Sequence, residues 1–428
     1  MAIVSPMQVK LAYGQGHLPV DLPDGITTVI EPIHSPGLPN EKSAVLQALS
    51  SPIAATPLRD WIKPPDKICI AFTDITRATP NDRIIPWLLE YLTSNGVQTE
   101  NITLLNQLGT HRPNTQAELE KMLTSEVVRN FRVINHEPEN RDVMKRFGAM
   151  HDGSPALINR HLAEADVRII TGFIEPHFFA GFSGGPKGIM PGCAALETVM
   201  ANHDARNIGD PRSAFGITIG NPIWEEIRDV ALRLGPSFLL NVTLNETRAI
   251  TGVFAGDLIE AHRTGYEFVR KAAMQRVKAP FEVVVTTNSG YPLDMNLYQG
   301  VKGMSAAARI VAERGTIILA CECREGVPAG SPLDKLLRES TSSEEVLARL
   351  TTAGQVRPEQ WQAQIQALIQ RRAEVVVYSS LPDDILRAAH LNPCKDIAST
   401  VREKLKQYGP DARVAVLPQG PLTIPYLA

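Results

Sequence analysis

The chain has 428 residues, 43% of them hydrophobic, with a mean hydropathy of −0.08, which is long for one core and predicts two domains, or three. Its 43 basic and 46 acidic residues leave a formal charge of −3, and no long basic block supports a nucleic-acid or anionic-membrane partner. Cys69, Cys193, Cys321, Cys323 and Cys394 form no CxxC pair, which argues against a disulfide framework or a zinc knuckle. The N-terminus lacks the features of a secretory leader, and no uncharged apolar run reaches spanning length; the expectation is a soluble, cytoplasmic protein.

Short β-rich runs alternate with amphipathic helical stretches. Residues 9–13 and 27–31 read as strands and 41–49 as a short helix. The run 67–72, KICIAF, reads as a buried strand, with Thr79 as N-cap and Pro80 as first residue of a helix to about residue 92. A strand over 101–105 precedes a helix over 115–123, which Thr115 and Glu118 open as a capping box. A further strand covers 167–171. The second unit reads as strands over 281–286, 316–321, 374–378 and 413–417, with helices over 305–313 and 359–371. This rhythm predicts two three-layer α/β domains with mostly parallel sheets, residues 1–275 and 276–428.

Chemistry-bearing side chains cluster where strands end, the edge at which open α/β sheets bind ligands. Asp74-Ile75-Thr76-Arg77 follows the KICIAF strand and forms a sound anion site, although Asp74 and Arg77 could equally pair with each other. Gly109-Thr110-His111-Arg112-Pro113 follows the strand over 101–105; a lone loop histidine is more often a solvated surface group than a catalyst. The segment 172–192, GFIEPHFFAGFSGGPKGIMPG, is dense in glycine and proline and contains Glu175, His177 and Lys187. Pro186 and Gly188 flank that lysine, so it is not a P-loop; Lys187 is a phosphate contact, a covalent anchor or a surface lysine. His203 follows a helical stretch over 194–201, and His111, His177 and His203 share no local ligand spacing. Tyr298 and Lys302, four apart, share one face if their segment is helical.

Taken in order, DITRATP, GTHRP, EPHFFAGFSGGPKGIMPG, NHDARN and YQGVKG resemble the nickel-dependent lactate racemases and their 2-hydroxy-acid homologues. A YG near the start and WQAQ from Trp361 extend the resemblance over nearly the whole chain. It implies an isomerase that inverts C2 of a small 2-hydroxy acid by reversible hydride transfer to a nickel-pincer nucleotide. By resemblance, Lys187 carries the cofactor and His203 binds the nickel. Asp74 and Thr76 lie near its ribose–phosphate end, the Gly184, Gly185 and Gly188 backbone runs alongside it, and Trp361 borders the pocket. His111 and His177 are the two acid/bases, and Arg77, Tyr298, Gln299 and Lys302 hold the substrate in a cleft between the domains. Cofactor-synthesis enzymes would load the protein. The rival readings are a hydrolase or lyase with a metal on the three histidines, and a non-catalytic carrier of the cofactor.

Overall fold

The computed structural model describes residues 6–328, 330–350 and 357–427. Two six-stranded sheets dominate it. The first runs in the order Ile250–Asp257, Phe238–Leu244, Val167–Phe173, Ile68–Phe72, Ile102–Asn106, Arg132–Asn135, all parallel except the first strand. The second runs Asn392–Pro393, Glu374–Tyr378, Val311–Ala320, Phe281–Thr287, Val414–Leu417, Thr27–Val29, and is parallel throughout. Ile68–Phe72 and its neighbours are buried on both faces, as a helix-covered parallel sheet requires.

In the first sheet the strand order reverses between Ile68–Phe72 and Val167–Phe173: from there the chain proceeds outward in both directions. Their carboxyl ends therefore flank an open crevice, and Asp74 and the Gly172–Gly192 segment begin there. Helix Leu297–Ala308 follows strand Phe281–Thr287 of the second sheet and brings Tyr298, Gln299 and Lys302 to the same crevice.

Three local expectations are corrected. The N-terminal strands belong to the second unit: the hairpin Pro6–Tyr13/Gly16–Pro23 packs Val9, Leu11, Val20 and Leu22 against Val283, Val285 and Val414, and Thr27–Val29 completes that sheet. The division at residue 275 therefore does not place residues 6–29, which cover an apolar face that the second sheet would otherwise expose. The helix expected over 305–313 starts earlier, at Leu297, where the Asn296 side chain accepts the Gln299 N–H, and residues from Val311 onward are already strand. Thr79 does not cap the next helix: Pro80 holds the N-cap position without a side-chain bond, and the Thr79 hydroxyl has no partner. The Thr115–Glu118 capping box forms as expected.

Candidate active site

One cavity at the crevice is lined by Asp74, Arg77, His111, His177, Gly184, Gly185, Lys187, Gly188 and His203 from the first unit, and by Tyr298, Gln299, Lys302 and Trp361 from the second. Of the expected site residues only Thr76 is not part of the wall. It sits behind Asp74 and donates its hydroxyl to that carboxylate at 3.0 Å.

His111 occupies the loop after Ile102–Asn106, and its Nδ1 lies 2.8 Å from Asp74 Oδ2. Burial pushes the Asp74 carboxyl up, but His111, Arg77 and the Thr76 hydroxyl outweigh it and hold the group below its ordinary range. A carboxylate on Nδ1 keeps the proton there and leaves Nε2 as the basic nitrogen. Asp74 and Thr76, expected beside the ribose–phosphate, are thus bonded toward His111.

His177 lies on the short strand Pro176–His177, which pairs with Gly181–Phe182. Burial, then Lys187, Lys302 and Arg77, push its pKa well down, so it is uncharged. Its Nδ1 accepts the Ala180 N–H at 3.3 Å, which leaves the proton on Nε2. The two histidines are therefore set up in opposite tautomers.

Aromatic rings close the cavity. The His177 ring lies 4.6 Å from Phe179, Phe179 lies 4.9 Å from His203, and His203 lies 5.1 Å from Trp361. Trp361 Nε1 donates to the Tyr298 hydroxyl at 3.0 Å, which frees the phenol proton to face the cavity. Because Phe179 stands between His177 and His203, the three histidines form no joint ligand set, and no group of three or more His, Cys, Asp or Glu suited to a metal occurs among the described residues. The three-histidine reading has no geometric support.

Four cationic or polar groups face the centre. Arg77 Nη1 is buried without a hydrogen-bond partner, 4.0 Å from Glu175 Oε1. The Gln299 side-chain oxygen is likewise unpartnered. Burial and Arg77 bring Lys302 down to about 7, against the pull of Glu175 and Asp74. Lys187, whose ammonium lies 5.7 Å from the Phe179 ring centre, is also brought to about 7 by burial, Arg77 and Lys302. An amine so placed is substantially unprotonated at neutral pH and nucleophilic.

The glycines are required by what stands behind them. A Cβ at Gly184 would lie 2.4 Å from Asn241 Oδ1, one at Gly185 would lie 2.3 Å from His262 Cγ, and one at Gly188 would lie 2.5 Å from Gln107 Oε1. Asn241 also accepts the Gly185 N–H at 2.8 Å, and the His262 Nε2–H donates to the Ser183 carbonyl at 2.9 Å. These supports are missing from the sequence reading. An asparagine inside the apolar strand Phe238–Leu244 was a usable signal; His262, on an ordinary amphipathic helix, offered none.

Lys302 gives the site a pH dependence. A lysine with a pKa near 7 is charged below that pH and neutral above it, and kcat/KM reports the free enzyme. For an anionic substrate, kcat/KM is expected to fall above about pH 7 by roughly tenfold per unit, and Lys302→Arg should flatten that limb. Losing either buried charged contact, in Arg77→Ala or Lys302→Ala, should lower kcat/KM by roughly ten- to a hundredfold below pH 7. An alkaline limb unchanged in Lys302→Arg would assign it to another group.

The lactate racemase N-terminal domain family covers residues 13–216 and the lactate racemase C-terminal domain family covers residues 276–424. The chain is 32% identical to a lactate racemase of Thermoanaerobacterium thermosaccharolyticum over 96% of its own length and 97% of that protein. It is 35% identical to one of Lactiplantibacillus plantarum over 89% and 90% of the two chains. The solved lactate racemase apoprotein from T. thermosaccharolyticum superposes with a TM-score of 0.91, covering 98% of this chain and all of that one. A Thermotoga maritima crystal structure at 22% identity and a TM-score of 0.72, covering 92% of this chain and all of that one, shares the fold.

Proposed function

The chain belongs to the lactate racemase family, and on that premise we propose that it racemises or epimerises a small 2-hydroxy acid with a nickel-pincer nucleotide. The observation that carries the reading is one cavity whose wall is shared by two oppositely tautomeric histidines, an unpartnered guanidinium nitrogen and a buried lysine.

Arg77 and Lys302 would take the substrate carboxylate, and Tyr298 and Gln299 would hold the oxygen at C2. His111 Nε2 would then accept the hydroxyl proton, with Asp74 stabilising the imidazolium as it forms. His177, on the other side, would return a proton to the keto oxygen when the opposite face is reduced. The residues present fit the cofactor. His203 Nδ1 points at the Asn202 side-chain oxygen at 2.8 Å, which leaves Nε2 as a free donor for nickel. Lys187 is the nucleophilic amine that a covalent attachment needs. When bound, the nucleotide would supply the metal and the carbon that accepts and returns the C2 hydride. A carrier would have no use for the Asp74–His111 pair. With all five cysteines buried as free thiols, a reducing compartment suits the protein, and we place it in the cytoplasm with the cofactor-synthesis enzymes.

The test is protein made alongside those synthesis enzymes and given single enantiomers of several 2-hydroxy acids, followed by chiral chromatography and intact mass. Conversion toward an equal mixture is expected, together with a mass increment that Lys187→Ala lacks. An increment that survives Lys187→Ala would remove that residue from the anchoring role, and no conversion of any 2-hydroxy acid by cofactor-loaded protein would sink the assignment.

A further inference from the structure

His203 closes helix Leu196–Asn202, its backbone N–H bonded to the Val199 carbonyl at 2.9 Å. The residue before it, Asn202, is wholly buried. Its side-chain Oδ1 lies 2.8 Å from His203 Nδ1. Its Nδ2 lies 2.9 Å from Glu226 Oε2 and 3.2 Å from the Ile223 carbonyl. Both of those neighbours accept only, so the amide has one orientation: nitrogen toward Glu226, oxygen toward His203. An amide oxygen in turn accepts only, so His203 must carry its proton on Nδ1.

Glu226 is itself fixed. It projects from helix Pro222–Arg233 and its other oxygen takes the His151 backbone N–H at 2.7 Å and the His151 ring Nδ1 at 3.2 Å. Every donor in this chain points toward the carboxylate, and the polarisation runs back through the amide to the imidazole. In water a neutral imidazole side chain favours the other tautomer, with its proton on Nε2 and no lone pair there. The fold therefore imposes the less common tautomer on His203, as Asp74 does on His111.

We propose that Asn202 and Glu226 are the positioning residues of the metal ligand: Glu226 fixes the Asn202 amide, and the amide fixes the His203 tautomer that leaves Nε2 free to bind nickel. This rests on the reading that His203 is the nickel ligand. Neither residue touches the cavity or the substrate. Partners that orient a ligating histidine from behind are worth roughly ten- to a hundredfold in metal affinity.

Two measurements on the full chain test it. On metal-free protein with 15N-labelled histidine rings, long-range proton–nitrogen correlation reads the tautomer of His203, assigned by its absence in His203→Ala. Wild type should show Nδ1–H, and Asn202→Leu, which keeps the branched outline but is bulkier and makes no hydrogen bonds, should shift it toward Nε2–H. On cofactor-loaded protein, nickel loss to a chelator should be roughly ten- to a hundredfold faster in Asn202→Leu. The pair Asn202→Asp with Glu226→Gln reverses the bond between the two side chains and keeps an oxygen on His203 at the loss of the Ile223 contact; it should retain the tautomer and hold nickel within a few-fold of wild type. A residue that only fills space would not separate the two variants in this way. An unchanged tautomer in Asn202→Leu, or nickel retention within about twofold of wild type, overturns the proposal. If Asn202→Leu does not fold, the exchanged pair decides: loss of the tautomer or of nickel there overturns it equally. Wild-type nickel stoichiometry in His203→Ala would instead sink the ligand assignment, while the tautomer result would stand.

Discussion

Neither His111→Ala nor His177→Ala is expected to racemise, yet each should still oxidise one enantiomer, and the two variants should choose opposite ones. Inversion passes the hydroxyl proton out to one side of C2 and takes a proton in from the other, so both rings are needed for a full conversion. A positioned acid/base contributes roughly 10²–10⁴ in rate, and racemisation should fall by at least that factor in either variant. Half of the chemistry needs only the histidine on the enantiomer's own side. The two halves should not be equally fast. His111 is ready to accept, because Asp74 holds its proton on Nδ1. His177 must first give up the Ala180 N–H contact and move its own proton from Nε2. The oxidation that survives in His111→Ala should therefore be the slower one. Single turnovers with each C2-deuterated enantiomer, quenched and analysed for 2-keto acid by mass, read this directly. Oxidation of the same enantiomer by both variants, or racemisation by either at the wild-type rate, would end the two-histidine mechanism here.

The elements that carry the site were legible because their local signals agree. Ile68–Phe72 is an unbroken apolar run followed by polar turn residues, and Gln116–Leu123 opens on a reciprocal cap. What could not be read were the pairings set by distant chain. The hairpin alternates Val9 and Leu11 with polar residues, which announces one apolar face but not that Val283 and Val414 will cover it. The early start of helix Leu297–Ala308 was hidden by its glycines, which weaken a helix in isolation. They are there because the neighbours leave no room: a Cβ at Gly303 would stand 2.2 Å from the Thr287 carbonyl oxygen, and one at Gly300 would stand 3.2 Å from Cys321 Sγ. Propensity argued against the helix and packing required it.

The site shows the same division. The cavity-facing residues of the first unit cluster at strand ends and in a glycine-dense loop, and Tyr298, Gln299, Lys302 and Trp361 stand on two helices, so their chemistry could be listed from the sequence, and the resemblance sorted them into roles. The groups that hold them are scattered. Asn241 and His262 back the glycine loop from another strand and another helix, and Glu226 lies 24 positions from the Asn202 it fixes. A supporting hydrogen bond leaves no local pattern, since one asparagine in a strand or one glutamate on a helix has many ordinary reasons to be there. Asp74 is the instructive case, because its position was evident and its partner was not.

Asp74→Asn separates the two roles that Asp74 could play. If it served mainly to bind the cofactor, the variant would load less nucleotide, and whatever loaded would treat both enantiomers alike. If it orients His111, loading should be near normal while the chemistry on one side fails. An asparagine can present either its oxygen or its amide N–H to His111 Nδ1. Neither carries the charge that stabilises an imidazolium, and the N–H selects the tautomer with its proton on Nε2, which cannot accept one. The comparable change in a carboxylate–histidine pair costs on the order of 10⁴ in kcat, and a loss of roughly 10²–10⁴ is expected here. Arg77 lies near and loses a counter-charge as well, so KM should move too, but by far less than kcat. The decisive readout is the enantiomer: single-turnover oxidation on the His111 side should slow by that factor, while oxidation on the His177 side stays within a few-fold of wild type. Slowing both sides equally at normal nickel and cofactor content would mean that Asp74 does not act through His111.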